Sequence, residues 1–581
     1  MDVNELSKSL QKFGLLDKIV FAAMLCSCSL VGLYFGVKDY RKKKSIKTDH
    51  GTLDFLMGGR KMKVFPVAMS LIASLVSGVL LLGASTEIYL YGTQYIYILI
   101  AIVISSAALH FIMIPMFHKL QIISVYEYLQ LRFDRNVRLF GSIMYIISTV
   151  LWLPIMLYVP ALAFNQMTGI SIHMITPLVV AICIFYTCLG GLKAVVWTDV
   201  VQITIMYGTL LLIAIKGTIN VGGISEVFEK NIESGRFEAP DMRLDPTIRH
   251  TFLTLVIGGS ILYTSHNALN QNMIQRYLSL KSVKAARTSN MIYVIGMIII
   301  ILLCCYNGLL LYATYSECDP LQTKLAKAKD QMLPLLVMQT FKDIPGLSGV
   351  FIAGIFSAAL SSISTGLNSS ACVVLEDFFK PFRKEKMSEK MCTVVTRGTV
   401  IILGSIAIAL VYIVQHMGTI LQLTLSVPTA CFGPLFGVYI IGFFIPWINK
   451  RATLIASIVG FITMMFFVLK VQAEMALGYL KFTTKPMSIE HCDYNFTAPV
   501  LTMSSLVEEK QITVPTIYQI SYLYYTIIGT LLVILVALLL SFPFGFEDVN
   551  KIDQRLLAPF VRRRLQKSNP NPNPDIFMTS K

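Results

Sequence analysis

Charged side chains are scarce in this sequence. They make up 14% of its 581 residues, whereas about 25% is usual in a soluble domain. Apolar residues account for 55%, and nearly uncharged runs of roughly 18 or more residues recur along the chain, about the length at which a helix crosses the hydrocarbon core of a membrane. The composition therefore excludes an ordinary soluble domain and predicts a protein embedded in a lipid bilayer.

Motifs for phosphate or acyl chemistry are also absent from the sequence. It contains no P-loop, no protein-kinase signature set and no Gly-x-Ser-x-Gly elbow. Its 11 cysteines show no metal-site spacing, and the apolar runs hold no set of nucleophile, base and orienting residue. We predict that the chain is not an enzyme and that it uses neither ATP nor an organic cofactor.

The apolar runs predict about 13 transmembrane helices. Lipid offers backbone groups no hydrogen-bonding partner, so each span must satisfy its own N–H and C=O groups, which favours an all-α bundle. The predicted spans begin near Asp17, Val64, Tyr95, Leu139, His173, Val200, His250, Asn290, Gly346, Arg397, Gly418, Ala452 and Gln519. The first run ends in the basic cluster Arg41-Lys42-Lys43-Lys44 and lacks a small-residue cleavage site, so we predict a retained span and not a signal peptide.

The basic residues also predict the orientation. Lys and Arg are enriched in cytoplasmic loops near span ends, which places residues 38–63 inside and the N-terminus outside. Later basic residues, including Arg276 and Arg562, then also fall inside. The net charge of +16 therefore comes from short loops between spans, and we predict no nucleic-acid partner. Protein partners are not indicated.

Three segments fall outside by the same count, namely residues 220–249, 314–345 and 471–518. The last contains the sequon Asn495-Phe496-Thr497, a predicted glycosylation site that independently favours this orientation. Cys318 and Cys492 lie in such external, oxidising segments and form a candidate disulfide.

Two predicted spans are interrupted by small residues. The second carries Ala73-Ser74-Leu75-Val76-Ser77-Gly78, and the seventh, five spans later, carries Ile257-Gly258-Gly259-Ser260. Small residues also let helices pack closely. Because five is an odd number, however, an offset of five spans gives the two halves opposite orientations across the membrane. Transporters with such inverted repeats hold substrate and ions at their broken helices.

This pattern divides the chain into seven parts. We predict an extracellular N-terminus (1–16), a first span (17–37), a basic cytoplasmic loop (38–63), a first repeat of helices 2–6 (64–249), a second repeat of helices 7–11 (250–445), helices 12 and 13 with the extracellular loop 471–518 (446–542), and a cytoplasmic tail (543–581).

Polar residues within the spans predict a cation site. The ninth span carries hydroxyls at Ser361, Ser362, Ser364 and Thr365. Any one of them can simply bond to the carbonyl one turn back, but clustered hydroxyl oxygens suit a small hard cation. Asp199 and Gln202 follow the helix break at Gly190-Gly191, and an ionisable residue within the membrane indicates function.

These features resemble the sodium:solute symporter family. The most specific similarities are residues 190–199 (GGLKAVVWTD), residues 124–129 (SVYEYL), and Asn270-Gln271 with residues 275–278 (QRYL). Residues 83–92 (GASTEIYLYG), Cys318-Asp319-Pro320 and Leu375-Glu376-Asp377 resemble the branch of sodium-coupled monocarboxylate, multivitamin and iodide carriers. The resemblance implies a plasma-membrane protein with an inverted five-plus-five helix fold and extra helices.

The resemblance also implies binding residues by position. Sodium would bind the carbonyl oxygens of Ala73, Val76 and Ala358 and the hydroxyls of Ser361 and Ser362. Positions near a sodium path or a second sodium site are matched by Asp199, Gln202, Ser364 and Thr365. The substrate would contact Leu75, Val76, Leu80, Trp152, Tyr263 and Leu425.

The substrate prediction depends on two leucines. Leu75 and Leu80 replace polar residues of sugar-carrying relatives, and unpaired sugar hydroxyls would be costly. An apolar pocket with a broken-helix N-terminus suits a small organic anion. His266 can donate a hydrogen bond to such an anion, or it can equally be an internal histidine whose hydrogen-bond partners belong to the protein.

We therefore predict sodium-coupled import of a monocarboxylate by alternating access. A sodium-dependent carrier of iodide or of a vitamin (biotin or pantothenate) is an alternative, as is a sodium-gated sensor that does not concentrate its ligand.

Overall fold

The structure, a computed structural model, describes residues 2–45, 51–383, 387–415, 420–480, 482–496 and 514–568. These residues form the helices α1 (Val3–Leu10), α2 (Leu15–Ser45), α3 (Gly51–Met57), α4 (Val64–Leu75), α5 (Gly78–Tyr91), α6 (Ile98–Ala108), α7 (Ile114–Leu120), α8 (Glu127–Arg132), α9 (Arg135–Thr168), α10 (Ile172–Val221), α11 (Ile224–Glu233), α12 (Gly259–Leu269), α13 (Gln271–Leu278), α14 (Val283–Tyr315), α15 (Met332–Thr340), α16 (Leu347–Val373), α17 (Glu389–Val414), α18 (Ile420–Phe444), α19 (Lys450–Ala476), α20 (Tyr525–Phe544) and α21 (Pro559–Ser568). The predicted all-α membrane fold is confirmed.

Within the described residues, ten helical stretches are long and apolar enough to span a membrane, or 11 if α4 and α5 count as one bent span. The predicted number of 13 is not confirmed. Part of the difference lies in α10, whose 50 residues cover two predicted spans. Its path turns at Gly191, where φ is 54° and ψ is −151°. A Cβ there would lie 2.6 Å from the Phe55 carbonyl oxygen, so this turn needs glycine for both its φ and its close approach.

The first predicted helix break is present between α4 and α5. The two helices bend by 58° relative to each other, and the residues between them, Val76 and Ser77, have extended backbone with ψ of 98° and 164°. The chain therefore leaves the helical hydrogen-bonding pattern in the middle of an apolar span, as the small residues there predicted.

The second predicted break was misplaced. Gly258 and Gly259 have helical dihedral angles, and the π-helical segment Thr254–Gly258 runs directly into α12. A Cβ on Gly258 would lie 2.9 Å from the Leu523 carbonyl oxygen, and one on Gly259 would lie 2.7 Å from Ile98 Cδ1, so these glycines serve close helix packing. The helix actually breaks at Asn270, between α12 and α13, where ψ is 118°.

Helix α16 lies at the centre of the bundle. Nearly all of its residues are buried, and it packs against α2, α4, α9 and α10. The approach of α10 is close, because a Cβ on Gly354 would lie 2.4 Å from Thr209 Oγ1. The hydroxyls of α16 therefore face protein and not lipid, and those near its middle lie opposite the end of α4.

A disulfide joins Cys318 to Cys492 and fixes a segment that follows α19. This segment, residues 482–492, is called the strap below. Its Lys485 amide donates to the Leu90 carbonyl at the C-terminal end of α5 (2.8 Å), and the Asp319 amide donates to the Ser488 carbonyl (2.9 Å). The strap thus ties the end of α5 to the loop between α14 and α15.

Candidate functional site

A cavity of about 100 Å³ lies at the two helix breaks and is called the central cavity. Five of the predicted substrate residues line it, namely Leu75, Leu80, Trp152, Tyr263 and His266. Val76 is buried beside it but is not among the lining residues. The side chain of Leu425 lies outside the part of the chain that the structure describes.

Two helix N-termini meet at the central cavity. Ser77 caps α5 by accepting a hydrogen bond from the Leu80 amide (3.2 Å), and Asn270 caps α13 by accepting one from the Asn272 amide (3.0 Å). Both capping residues line the cavity. Amides in the first turn of a helix carry partial positive charge, and the described lining residues include neither lysine nor arginine. The cavity can thus attract an anion through backbone groups alone.

Asn270 and Asn272 are cavity residues that sequence reasoning missed. The hydroxyl of Tyr145 donates to Asn272 Oδ1 (2.6 Å) and fixes that side chain in the wall. Asparagine is a strong N-cap residue, so Asn270 carried a signal that could have located the second break. His266 Nε2 is buried without a hydrogen-bond partner among the described residues, which leaves this nitrogen available to a ligand.

Three of the five predicted sodium ligands, Ala73, Ala358 and Ser361, come together where α4 ends against α16. The Ser361 hydroxyl donates to the carbonyl oxygen of Ala73 (2.6 Å) and lies 3.0 Å from that of Ala358. The Ser362 hydroxyl is buried and has no partner among the described residues. Val76, with its extended backbone, follows the last residue of α4. This end of α4 therefore gathers neutral oxygen atoms of the kind that a small cation prefers.

Asp199 lies at the centre of a second polar cluster. Its Oδ2 accepts hydrogen bonds from the Ser70 hydroxyl (2.6 Å) and from Arg276 Nη2 (3.0 Å), whereas its Oδ1 is buried without a partner among the described residues. Arg276 also donates to Thr365 Oγ1. Arg276 was predicted to lie in a short loop between spans, but it belongs to α13, and its side chain is 1% exposed and pairs with this carboxylate.

The other predicted members of this cluster differ in what they contact. Gln202 donates to Cys28 Sγ (3.3 Å), and its Oε1 is buried without a partner in the described structure. Ser364 donates back to the Ser361 carbonyl (3.2 Å), a bond within its own helix. Of these two α16 hydroxyls, Thr365 thus reaches the Asp199 cluster, whereas the bond from Ser364 stays within α16.

Ser74 connects the two clusters to the central cavity. Its hydroxyl donates to the Ser70 carbonyl (2.7 Å), lies 3.1 Å from Thr365 Oγ1 and lines the cavity. Thr365 in turn donates to the Ser361 carbonyl (2.7 Å). Among the described residues, no group of three or more His, Cys, Asp or Glu side chains suited to a metal ion is present.

Comparison with known proteins identifies the family. The model of the sodium:solute symporter family matches residues 55–460. The chain belongs to the sodium:solute symporter family, which confirms the resemblance seen in its motifs.

The individual relatives agree with this assignment. The chain is 34% identical to sodium-coupled monocarboxylate transporter 2 of Mus musculus, over 94% of this chain and 87% of that protein. It is 35% identical to sodium-coupled monocarboxylate transporter 1 of Homo sapiens, over 98% and 92% respectively, and 33% identical to the sodium/iodide cotransporter of Homo sapiens, over 91% and 83%. These relatives are transporters, so the predictions of sodium-coupled membrane transport and of no enzymatic role are confirmed.

The fold has a counterpart among solved structures. A Na⁺-coupled sialic acid symporter in a substrate-bound, outward-open state superimposes with a TM-score of 0.71 at 23% identity. The match covers 92% of this chain and 98% of that chain. The two proteins share their fold.

Proposed function

We propose that this chain imports a short monocarboxylate together with sodium, by alternating access. The observation that carries the proposal is the meeting of the α5 and α13 N-termini at one small cavity. The sodium-ligand candidates Ala73 and Ser361 lie beside it, and the sodium-coupled monocarboxylate transporters among the relatives support the substrate class.

The size and lining of the central cavity favour a short acid. Its volume of about 100 Å³ is below the ~150 Å³ of an engineered protein cavity that binds benzene, and biotin and pantothenate are both larger than benzene. Leu75 and Leu80 supply an apolar wall for an alkyl group, whereas the helix N-termini face the carboxylate. A vitamin would require a larger cavity.

Iodide is the second candidate, because one relative is a sodium/iodide cotransporter. It would bind at the same helix N-termini but has no alkyl group to pack against Leu75 and Leu80. The apolar part of the cavity wall therefore favours the monocarboxylate.

Sodium would couple to the substrate through the end of α4. The Ser361 hydroxyl joins α16 to the Ala73 carbonyl, and α4 continues through the break into α5, whose first turn lines the central cavity. An ion bound to these oxygens and a carboxylate bound to α5 would stabilise the same arrangement of α4, α5 and α16, which is a coupling free energy between two sites. Each sodium ion entering the cell releases about 2.3 kcal/mol per 100 mV of membrane potential.

The topology forms part of the same proposal. We place the protein in the plasma membrane with the N-terminus outside and the C-terminal tail inside, and we retain 13 spans by dividing α10 at Gly191 and counting residues 254–278 as one broken span. Residues 64–249 and 250–445 would then be inverted repeats. Their broken helices, α4–α5 and α12–α13, meet at the central cavity.

A sodium-replacement uptake screen tests the substrate. Cells expressing the chain are given labelled lactate, pyruvate, short fatty acids, iodide, biotin or pantothenate, in sodium or in choline. We expect sodium-dependent uptake of lactate and pyruvate, and Leu80→Ala should extend the accepted acids to longer chains because it enlarges the cavity. Sodium-dependent uptake of iodide or biotin without uptake of lactate or pyruvate would overturn the assignment.

A further inference from the structure

Helix α21 begins at the level where α18 leaves the membrane. The amide of Ala558, the residue directly before α21, donates to the Phe443 carbonyl (3.1 Å). Two residues later, the Phe560 ring stacks on the ring of Phe444, with centroids 5.3 Å apart. Phe443 and Phe444 are the last residues of the apolar span in α18. The first turn of α21 therefore lies at the membrane surface.

Exposed aromatic side chains lie at the same end of the bundle. Phe542 and Phe546, at the end of α20 and just beyond it, are 74% and 58% exposed, and Trp447, which follows α18, is 43% exposed. The Glu547 amide donates to the Trp447 carbonyl (2.8 Å), which joins these two segments. Tryptophan is enriched at the level of the lipid headgroups, so these rings indicate the same membrane surface that α21 adjoins.

Helix α21 turns one face toward the protein and another outward. Val561 is half-buried and packs against the hydrophobic core. Phe560, Arg563 and Arg564 are exposed. Because positions i, i+3 and i+4 share one face of a helix, these three side chains lie together. The outward face of α21 thus combines an aromatic ring with two guanidinium groups, a pattern typical of helices that lie in the membrane interface.

The positive charge of this outward face is not neutralised by the protein. Among the described residues, neither Arg563 nor Arg564 forms an ion pair, whereas Arg555 pairs with Asp553 (2.6 Å). Arg451 begins α19 at the same end of the bundle and is likewise exposed, without an ion-pair partner in the part of the chain that the structure describes. Unpaired guanidinium groups are therefore concentrated at the membrane surface.

An anionic phospholipid has the chemistry that this face requires. Its phosphate oxygens accept the paired hydrogen bonds that a guanidinium donates, and its acyl chains can cover the exposed ring of Phe560. An acidic protein segment could also pair with the arginines, but it would offer less apolar surface to the ring. Lipid is moreover present at high local concentration, because α21 begins at the membrane surface.

We propose that α21 is a docking surface for anionic phospholipids of the cytoplasmic leaflet, with Arg563 and Arg564 on the headgroup and Phe560 beside the acyl chains. The proposal goes beyond the proposed function, because it involves neither sodium nor the substrate. Its assignment to the cytoplasmic leaflet uses the proposed topology. That leaflet has a negative surface potential, which complements the charge of α21.

The expected effect of removing the arginines follows from their number. One arginine near an anionic surface contributes about 1 kcal/mol, which is roughly fivefold in affinity because 1.4 kcal/mol is tenfold. The double variant Arg563→Gln/Arg564→Gln should therefore weaken the binding of phosphatidylserine at least tenfold. Both side chains are exposed, so we expect the variant to fold as the wild type does.

Titration of the purified full-length protein with phosphatidylserine in a neutral detergent, followed by native mass spectrometry, tests this proposal. We expect at least one phosphatidylserine to bind more tightly than phosphatidylcholine, and this binding to weaken at least tenfold in Arg563→Gln/Arg564→Gln. The matched control is Lys8→Gln/Lys12→Gln. It removes the same charge from two exposed lysines that have no ion-pair partner among the described residues and lie at the proposed extracellular end, and it should leave the binding unchanged.

Four results would overturn the proposal. Unchanged phosphatidylserine binding in Arg563→Gln/Arg564→Gln would exclude the arginines, and an equal loss in the lysine control would show that only total charge matters. Competition by free glycerophosphoserine at the concentration of the lipid would assign the site to a soluble phosphate compound. Binding of polyglutamate, without any preference for phosphatidylserine over phosphatidylcholine, would assign the surface to an acidic protein.

Discussion

Replacing Ser362 by alanine tests whether its hydroxyl binds sodium or only supports the fold. The Ser362 hydroxyl is buried and has no hydrogen-bond partner among the described residues, a state that costs about 1–3 kcal/mol. Its neighbour Ser361 instead donates to Ala73 and lies within reach of Ala358. If the Ser362 hydroxyl is a sodium ligand, removing it should weaken sodium binding without destabilising the sodium-free protein.

The expected size of the effect follows from one lost ligand. A net contribution of about 1 kcal/mol, typical for one polar contact, corresponds to roughly a fivefold change in affinity, since 1.4 kcal/mol is tenfold. Ser362→Ala should therefore raise the half-saturating sodium concentration for uptake about fivefold and reduce the increase in Tm that sodium produces. Its Tm in choline should not fall. Ser361→Ala should lower Tm in both buffers, because its hydroxyl also joins two helices.

The assay is uptake against sodium concentration, together with thermal unfolding of the purified protein in sodium and in choline. Ser289→Ala is the matched control, because the hydroxyl of Ser289 on α14 is likewise buried without a partner in the described structure. An unchanged sodium dependence in Ser362→Ala would refute the assignment of this hydroxyl. An equal shift in Ser289→Ala would show that the effect is not specific to the site.

Three further predictions concern residues outside the spans. Burial raises the pKa of Asp330 to about 6, so its stabilising contribution is complete below pH ~4 and is lost as pH rises through 6. Asp330→Asn should therefore increase the free energy of unfolding at pH 7.4 by up to about 3 kcal/mol, at 1.36 kcal/mol per pKa unit. Its Tm should rise at pH 7.4 and stay unchanged at pH 4. Cys318→Ser, which breaks the disulfide to Cys492, should cost ~2–4 kcal/mol and remove the sensitivity of Tm to reductant. Asn495→Gln should remove one glycan's mass in animal cells.

The sequence predicted the first helix break but misplaced the second, because glycine serves two purposes. At Gly191 it permits a positive φ, and at Gly258 and Gly259 it permits close contact. The contacting groups, Leu523 and Ile98, are far away along the chain. Local composition alone cannot distinguish a glycine that turns the chain from one that lets two helices pack closely. The N-cap preference of Asn270, by contrast, was a local signal that identifies the true break.

Arg276 shows that local sequence is equally limited in predicting which charged side chains are buried. The enrichment of Lys and Arg in cytoplasmic loops describes averages over loops, and it placed this residue among the charges of short loops between spans. Its burial depends on partners that are distant in sequence, Asp199 at a separation of 77 residues and Ser70 at 206. The carboxylate itself could be identified from its apolar surroundings, but its cation could not.

The most direct test of the central claim is lactate accumulation in proteoliposomes. The purified protein is reconstituted, an inward sodium gradient is imposed, and internal labelled lactate is measured over time. Sodium-coupled import predicts that lactate rises above its external concentration and falls back when a sodium ionophore dissipates the gradient. Lactate that binds, or equilibrates without exceeding the external concentration, would contradict coupled transport and favour a sensor.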